Sequence, residues 1–220
     1  MRTYGQYCAL ARTLDVIGER WTLLIIRELF ARDCRYSDLR EALPGIATNL
    51  LAQRLRHLQA HGVVETYEAP APVRATVYRL TPRGRDLGPA LRTLVSWGGP
   101  LLAAQGDDEF RTHWMALGLP AFFTGVDVSD VAPLEVVVRT GDAPATLAVD
   151  GQGVSMAVGA STSPLAVTVE GPPDGIYALL TGRSEHDEPD VAVRGPREAV
   201  RRMRLLARRA AVASSAKPSP

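Results

Sequence analysis

Residues 36–58, YSDLREALPGIATNLLAQRLRHL, decide how the first half of the chain is read. The run divides into two short helices around a tight turn. Leu39 and Leu43 lie four apart on one face of the first, and Pro44-Gly45 stops it. In the second, Leu51, Leu55 and Leu58 recur at i, i+4 and i+7, one apolar stripe on a helical period. At about 100° per residue, Asn49, Gln53 and Arg56 fall on the opposite face, with Ala52 and His57 on its flanks. Such a helix suits a DNA major groove, where Asn and Gln pair bidentately with adenine and Arg with guanine. The same residues would also serve as the solvated face of an ordinary helical hairpin, so the flanking sequence has to decide.

Upstream, residues 7–19 read as a helix with Leu10, Leu14 and Ile17 on one stripe. A second helix follows from about Glu19, apolar on most sides through Trp21, Leu24, Ile25, Ile26 and Leu29, and is expected at the centre of the first domain. Downstream, His61-Gly62 ends the helix, and two strand-like runs follow at 63–68 and 74–80. The second run alternates, with Ala75, Val77 and Arg79 on one face and Thr76, Tyr78 and Leu80 on the other. A proline-bearing tip, APAPV, lies between the runs. Helices followed by a two-stranded hairpin are the order of a winged helix, and Arg74 near the tip would reach phosphate or the minor groove. Thr81-Pro82 then opens another helix with a threonine cap and proline at the first position. Its stripe of Leu87, Leu91 and Leu94, ending at Trp97-Gly98-Gly99, is spare in a winged helix and predicts packing against a second subunit.

The 220 residues suit one large domain or two of about 100 each. A net charge of +1 hides an asymmetry: residues 1–105 hold 14 Arg against 9 Asp/Glu, net +5, and residues 106–220 hold 11 Lys/Arg against 15 Asp/Glu, net −4. A basic half joined to an acidic half predicts that the first meets a polyanion and the second does not. Only Lys217 is a lysine, so phosphate contacts fall to arginine. The start, MRTYGQYCALARTL, lacks the apolar core of a signal peptide, and no stretch of about 20 apolar residues could span a membrane. Two cysteines make no disulfide framework, and a cytoplasmic protein with no membrane role is expected. No phosphate-cradling glycine loop, zinc-type cysteine pair or repeat is present, so no cofactor and no metal are expected.

The strings IGERWTLLIIRELF, CRYSDLREALPGIATNLLAQRLRHLQAHGVV and ATVYRLTPRGRDLGPALRTLVSWG together resemble the HxlR family of bacterial winged-helix transcription regulators over roughly residues 7–100. The elements that carry the likeness are Gly18, Trp21, Arg35-Tyr36, Gly45-Ile46, Leu51, Arg54-Leu55, Tyr78, Leu80, Thr81, Gly84 and Trp97-Gly98. The resemblance implies a homodimer formed by the first helix and the helix after the wing. It implies binding to a near-palindromic site in double-stranded DNA, with two recognition helices in major grooves about 34–36 Å apart. Members that sense oxidants use an N-terminal cysteine, typically followed by proline; Cys8 holds that position, but Ala9 follows it. A reactive thiolate needs a basic neighbourhood or a helix start, which Arg12 and the helix would supply; the other reading is a small apolar residue at the dimer interface. Cys34, before Arg35 in a turn, reads as incidental.

Ala47 stands where the family usually has a Ser or Thr cap, so Thr48 is expected to cap one residue later and to shift the first base-contacting position. The candidate DNA-binding set is Arg35 on phosphate, then Thr48, Asn49, Ala52, Gln53 and Arg56, and Arg74 on the wing. Arg54 lies nearer the buried stripe and is expected to pair with Glu41 or Glu65, His57 to be a solvated flank or phosphate neighbour, and Trp21 and Trp97 to be core or interface.

Gly106-Asp107-Asp108-Glu109 marks the expected boundary between domains at 1–105 and 106–212, with a disordered tail at 213–220. The second half opens with an apolar helix at 109–123. Short Val-rich strands follow at 134–140, 145–149, 153–158 and 165–170. A helix behind Pro172-Pro173-Asp174, a strand at 190–195 and an amphipathic helix on Val200, Met203 and Leu206 complete it. The fold class expected for the whole is α+β: a winged helix-turn-helix, then an α+β domain with a mostly antiparallel sheet covered by helices.

The second half, with PLAVTVEGPPDGIYALLTGR followed by PDVAVRGPREAVRRMRLL, resembles the sterol carrier protein fold over about residues 108–212. That implies an apolar cavity for a hydrophobic small-molecule effector, with Met115, Phe122, Phe123, Met156 and Tyr177 near it. The alternative is a cavity filled by side chains. The basic run RRMRLLARRA could suggest nucleic acid or membrane contact, but on one helix within the acidic half it reads as a solvated face paired with Asp/Glu.

Three classes of function compete. The first is a DNA-binding transcription regulator answering to a hydrophobic effector. The second is a redox-sensing regulator acting through Cys8. The third is a lipid carrier or enzyme whose first domain is only a dimer platform. Nothing in the sequence supports catalysis: His113 and His186 have no nucleophile or metal partner at useful spacing, and Ser161 and Ser163 have no nearby base.

Overall fold

The computed structural model describes residues 3–70, 74–101, 109–141, 143–183 and 190–215. The chain forms two compact units, Met1–Pro89 and Ala90–Pro220. In the first, α1 (Ala9–Ile17) and α2 (Thr22–Ala31) lead into a two-residue strand β1 (Cys34–Arg35). Then come α3 (Tyr36–Ala42), α4 (Thr48–Ala60), strands β2 (Val64–Glu68) and β3 (Thr76–Leu80), and the single turn α5 (Pro82–Arg85). As its composition predicts, α2 is central, with Ile25, Ile26 and Leu29 fully buried. It starts at Thr22 rather than Glu19 because Trp21 takes the left-handed region at φ 75°, which ends helical geometry there. That conformation costs a non-glycine residue about 1–2 kcal/mol.

The wing is a three-stranded sheet, β1-β3-β2, antiparallel throughout, with Val64 opposite Leu80 and Cys34 opposite Tyr78. Cys34 therefore sits in a strand and is buried, not in a loose turn. Val77 and Leu80, one from each expected face, are both buried, because β3 is the middle strand and meets α2, α3 and α5. The Thr81 hydroxyl accepts the Gly84 N–H at 3.0 Å and donates to the Gly62 carbonyl at 2.6 Å, which ties the predicted cap to the turn before the wing. A Cβ on Gly84 would run into the Val63 carbonyl, so no larger residue fits there without backbone movement.

Helix α6 (Gly88–Gly98) crosses the boundary between the units. The division between the units falls within α6, at residue 89, where the expected domain boundary lies at 105; Val95 lies beside Gly118 within the second unit. There a 3-10 turn, Thr112–Trp114, leads into α7 (Met115–Ala121). The expected helix over 109–123 is cut short by Pro120 inside its last turn, leaving Phe122 and Phe123 in the turn beyond. Strands β4 (Leu134–Arg139), β5 (Ala145–Asp150), β6 (Gly153–Val158) and β7 (Val167–Glu170) follow. The unit closes with α8 (Pro173–Thr181), β8 (Ala192–Arg194) and α9 (Arg197–Ser215).

The sheet order is β6-β5-β4-β7-β8. Neighbours are antiparallel except β4 and β7, which run parallel because β7 returns past the β5–β6 hairpin to the far side of β4. Alternate sheet residues Leu134, Val136, Val138, Leu147 and Val149 join Met115 and Leu119 of α7, Ile176 and Leu180 of α8, and Met203, Leu206 and Ala210 of α9 in one core. Residues 213–215 are helical, continuing α9 into the expected tail; the rest of that tail, the wing tip at 71–73 and His186 lie outside the described residues.

Candidate DNA-binding surface

Helix α4 divides its residues as its period predicts. Leu51, Leu55 and Leu58 are buried, while Thr48, Asn49, Gln53 and Arg56 are exposed and Ala52 and His57 half-buried. Each fully buried leucine contributes about 1.5–3 kcal/mol to holding the helix against the domain. The turn before it depends on Gly45, whose φ of 88° is readily reached only without a side chain. The Trp21 ring comes near that turn: a Cβ on Gly45 would lie 3.9 Å from its Cη2, and the Arg20 guanidinium stacks 5.2 Å above the ring centroid. Trp21 is thus half-buried at a junction of two turns.

The start of α4 differs from expectation. Ala47, with extended dihedrals, is the N-cap, and Thr48 is already the first helical residue, so Thr48 does not cap. Helical geometry sets in at Thr48 without a side-chain cap, and Tyr36 steadies this end instead by donating its hydroxyl to the Thr48 carbonyl at 2.6 Å. Asn49, an exposed residue, accepts the Leu50 N–H at its Oδ1 at 2.8 Å.

Two further contacts fix the angle of α4. Arg54, with a side chain only 8% exposed, donates to Glu19 at 2.8 Å and to the Arg20 carbonyl at 3.3 Å. The expected partners Glu41 and Glu65 are not used: Arg54 points toward the α1–α2 turn, and Arg79 occupies Glu65 at 2.7 Å. His57 is more than a solvated flank, since its Nε2–H donates to the Asp15 carbonyl at 3.2 Å. Burial, reinforced by His61 and Arg54, pushes the His57 imidazole below its ordinary value. Asp15 also accepts from Thr3 at 2.8 Å and from the Tyr4 N–H at 2.9 Å, and these bonds hold its carboxyl below the usual range. Sequence spacing could not reveal these anchors, because the Arg54–Glu19 and His57–Asp15 pairs span 35 and 42 positions.

Arg35 is exposed at the N-cap of α3, where its N–H donates to Asp38 at 2.8 Å. Arg74 is exposed beside the wing tip in a left-handed conformation, φ 34°. Arg56 is exposed as well.

The two cysteines differ sharply. Cys8 is exposed at the N-cap of α1. Burial pushes the Cys34 thiol up to about 12, which keeps it protonated and unreactive. In the second unit, Met115 and Phe123 belong to the packed core, while Phe122, Met156 and Tyr177 are half-buried. Phe122 meets Tyr177 edge to face at 6.0 Å, with the Arg183 guanidinium 5.0 Å above its ring. The Tyr177 hydroxyl lies over Gly118, and burial raises its pKa. Among the described residues no group of three or more His, Cys, Asp or Glu is placed to hold a metal ion, and no helix is long and apolar enough to cross a membrane.

Comparison with known proteins gives the family. The model of the HxlR-like helix-turn-helix family matches residues 16–105. The uncharacterized HTH-type transcriptional regulator sll1512 of Synechocystis is 35% identical over 98 residues, covering 44% of this chain and 73% of that protein. YvaP of Bacillus subtilis, also an uncharacterized HTH-type transcriptional regulator, is 34% identical over 87 residues, 39% of this chain and 80% of its own length. Of the Mycobacterium tuberculosis regulator Rv3095, 39% identical over 94 residues, the chain spans 59%. A crystal structure of a putative HTH-type transcriptional regulator, ytcD, aligns with a TM-score of 0.41 at 32% identity over 43% of this chain and 96% of that one. The chain belongs to the HxlR-like helix-turn-helix family of transcription regulators.

Proposed function

We propose that this DNA-binding regulator acts as a homodimer on a near-palindromic operator, with Asn49, Gln53 and Arg56 reading bases and Arg35 and Arg74 contacting the backbone. The observation that carries the reading is the division of α4, where three leucines are buried and the amides and guanidinium are exposed over them. The dimer is supported by apolar surface left exposed among the described residues. On α1, Leu10 is 66% and Leu14 38% exposed, and on α6, Leu94 is 51% and Trp97 71% exposed. A helix whose apolar stripe faces water needs a further surface to cover it. Trp97, expected in core or interface, is thereby left to the interface.

The second unit, in this reading, has a sterol-carrier-like fold and takes a hydrophobic small molecule near Phe122, Met156 and Tyr177, which keep part of their surface open. An effector that favours one DNA-binding state would shift affinity through about 1–3 kcal/mol of coupling. A gel-shift with genomic fragments flanking the protein's own gene, with and without a lipophilic extract, tests both parts. A retarded band that changes with the extract is expected; no band at low salt would exclude the DNA-binding reading.

A second reading concerns oxidation, because Cys8 is exposed at the start of α1 and Cys34 is buried. Oxidation of Cys8 would then alter the dimer. An oxidant response unchanged in Cys8→Ser would remove it.

A further inference from the structure

We propose that α9 is a second polyanion-binding element, a ridge of arginines that holds the phosphate backbone of duplex DNA flanking the operator; this rests on the DNA-binding reading above. Charge is segregated in the second half of the chain. Residues 106–196 carry 4 Arg against 14 Asp/Glu, whereas residues 197–215 carry 6 Arg against the single Glu198. A helix that merely kept an acidic domain soluble would not gather the positive charge on one element.

The six arginines divide into two groups. Two face the body of their own unit. Arg209 donates to Asp130 at 2.8 Å and to the Asp127 carbonyl at 2.8 Å, and Arg202 donates to the Pro133 carbonyl at 3.4 Å. The other four, Arg197, Arg201, Arg204 and Arg208, are exposed, Arg204 while also partnered within the chain. They are spaced i, i+4, i+7 and i+11, which keeps them within about 60° of one another around the helix. Together they form a straight ridge about 16 Å long, the axial rise of about five phosphates of one strand. Arg201 also pairs with Glu198 at 3.0 Å, the one acidic neighbour on the helix.

The opposite face of α9 decides between polyanions. A membrane-binding amphipathic helix inserts its apolar face, and here that face is already used: Met203, Leu206 and Ala210 are buried in the core. Among the described residues the ridge is flanked by only two exposed large apolar side chains, Leu205 and Val212. A guanidinium ridge with so little apolar surface to insert fits phosphate at a hydrated surface, where Arg forms bidentate bonds. Such contacts carry no base information, so the ridge would strengthen binding to any sequence alike.

The test uses the full-length protein and a random-sequence duplex of about 40 base pairs, titrated at several salt concentrations. Arg197→Gln, Arg201→Gln, Arg204→Gln and Arg208→Gln together should weaken binding at least tenfold and make the salt dependence shallower by about one unit for each lost contact. The same four positions changed to Lys should restore most of both. If the glutamine variant loses its fold, Arg197→Gln with Arg208→Gln should give about half the change in slope. An unchanged salt slope with wild-type DNA binding would overturn the ridge and leave the operator-binding reading standing. No binding by the wild-type protein at low salt would overturn both. Arginine-dependent sedimentation with phosphatidylserine vesicles, with the DNA slope unchanged, would assign the ridge to membrane and overturn the DNA assignment.

Discussion

Helices α4 and α9 are built alike and face outward differently. Each buries one apolar stripe, and each uses basic residues to lock itself to its own unit: Arg54 and His57 on α4, Arg202 and Arg209 on α9. What remains outward on α4 is a mixture of amides, which both donate and accept, with one guanidinium. What remains on α9 is mainly a ridge of four arginines, with Glu198, Leu205 and Val212 exposed beside it. Base edges differ in their pattern of donors and acceptors, and phosphates do not. Under the two proposals, the comparison separates a surface that discriminates sequence from one that only holds a polyanion.

The likeness of the two buried stripes can be broken first. Leu55→Ala on α4 and Leu206→Ala on α9, 1% and 2% exposed, should each cost about 2–5 kcal/mol, read as a lowered thermal midpoint of the unit concerned. Unequal losses, with one near zero, would show that one helix does not hold its place by its stripe. The anchors should then differ. Arg54→Met removes a largely buried guanidinium from Glu19 and the Arg20 carbonyl and should cost about 1–3 kcal/mol. Arg209→Met removes a half-exposed guanidinium from Asp130 and the Asp127 carbonyl and should cost less, lowering the thermal midpoint by a smaller step than Arg54→Met.

The His57 anchor gives a smaller, pH-dependent effect. The fold favours its neutral form, so the folded protein binds fewer protons than the unfolded chain once pH falls below about 6.5. Stability should therefore be full above that value, decline as pH drops toward the lower folded value, and level off below it. His57→Gln should flatten this part of the profile in thermal unfolding between about pH 7.5 and 5. Smallest of all, Gln53→Ala and Arg208→Gln should leave stability within about 0.5 kcal/mol of wild type, since both side chains face solvent. Larger changes would mean that the outward faces also serve the fold.

Much of α4 was legible because its signals are local. Leucines at helical spacing, Pro44-Gly45 in the turn and Thr81-Pro82 at the later cap are each decided by neighbours a few residues away. The missed features depend on distant partners. Arg54 reaches Glu19 rather than Glu41 or Glu65 because the α1–α2 turn folds over α4, which no spacing within the helix encodes. Strand β1 is only two residues long and exists because β3 supplies its ladder. The parallel pairing of β4 with β7 is a matter of chain return, not of either strand's composition. At Thr48 a local rule failed: a threonine beside a helix start suggested a cap, and the Tyr36 hydroxyl does the steadying instead. The arginines of α9 were legible as charge, but their division into inward and outward groups needs the positions of Asp130 and Pro133.

The central claim is that the exposed face of α4 reads bases. Asn49→Ala, Gln53→Ala and Arg56→Ala combined, in a protein with an unchanged thermal midpoint, should be titrated against the fragment upstream of its own gene and against random duplex. Bidentate base contacts are worth about 1–3 kcal/mol each, so preference for the upstream fragment should fall at least a hundredfold while random binding falls far less. A triple variant that kept the wild-type preference would contradict the account.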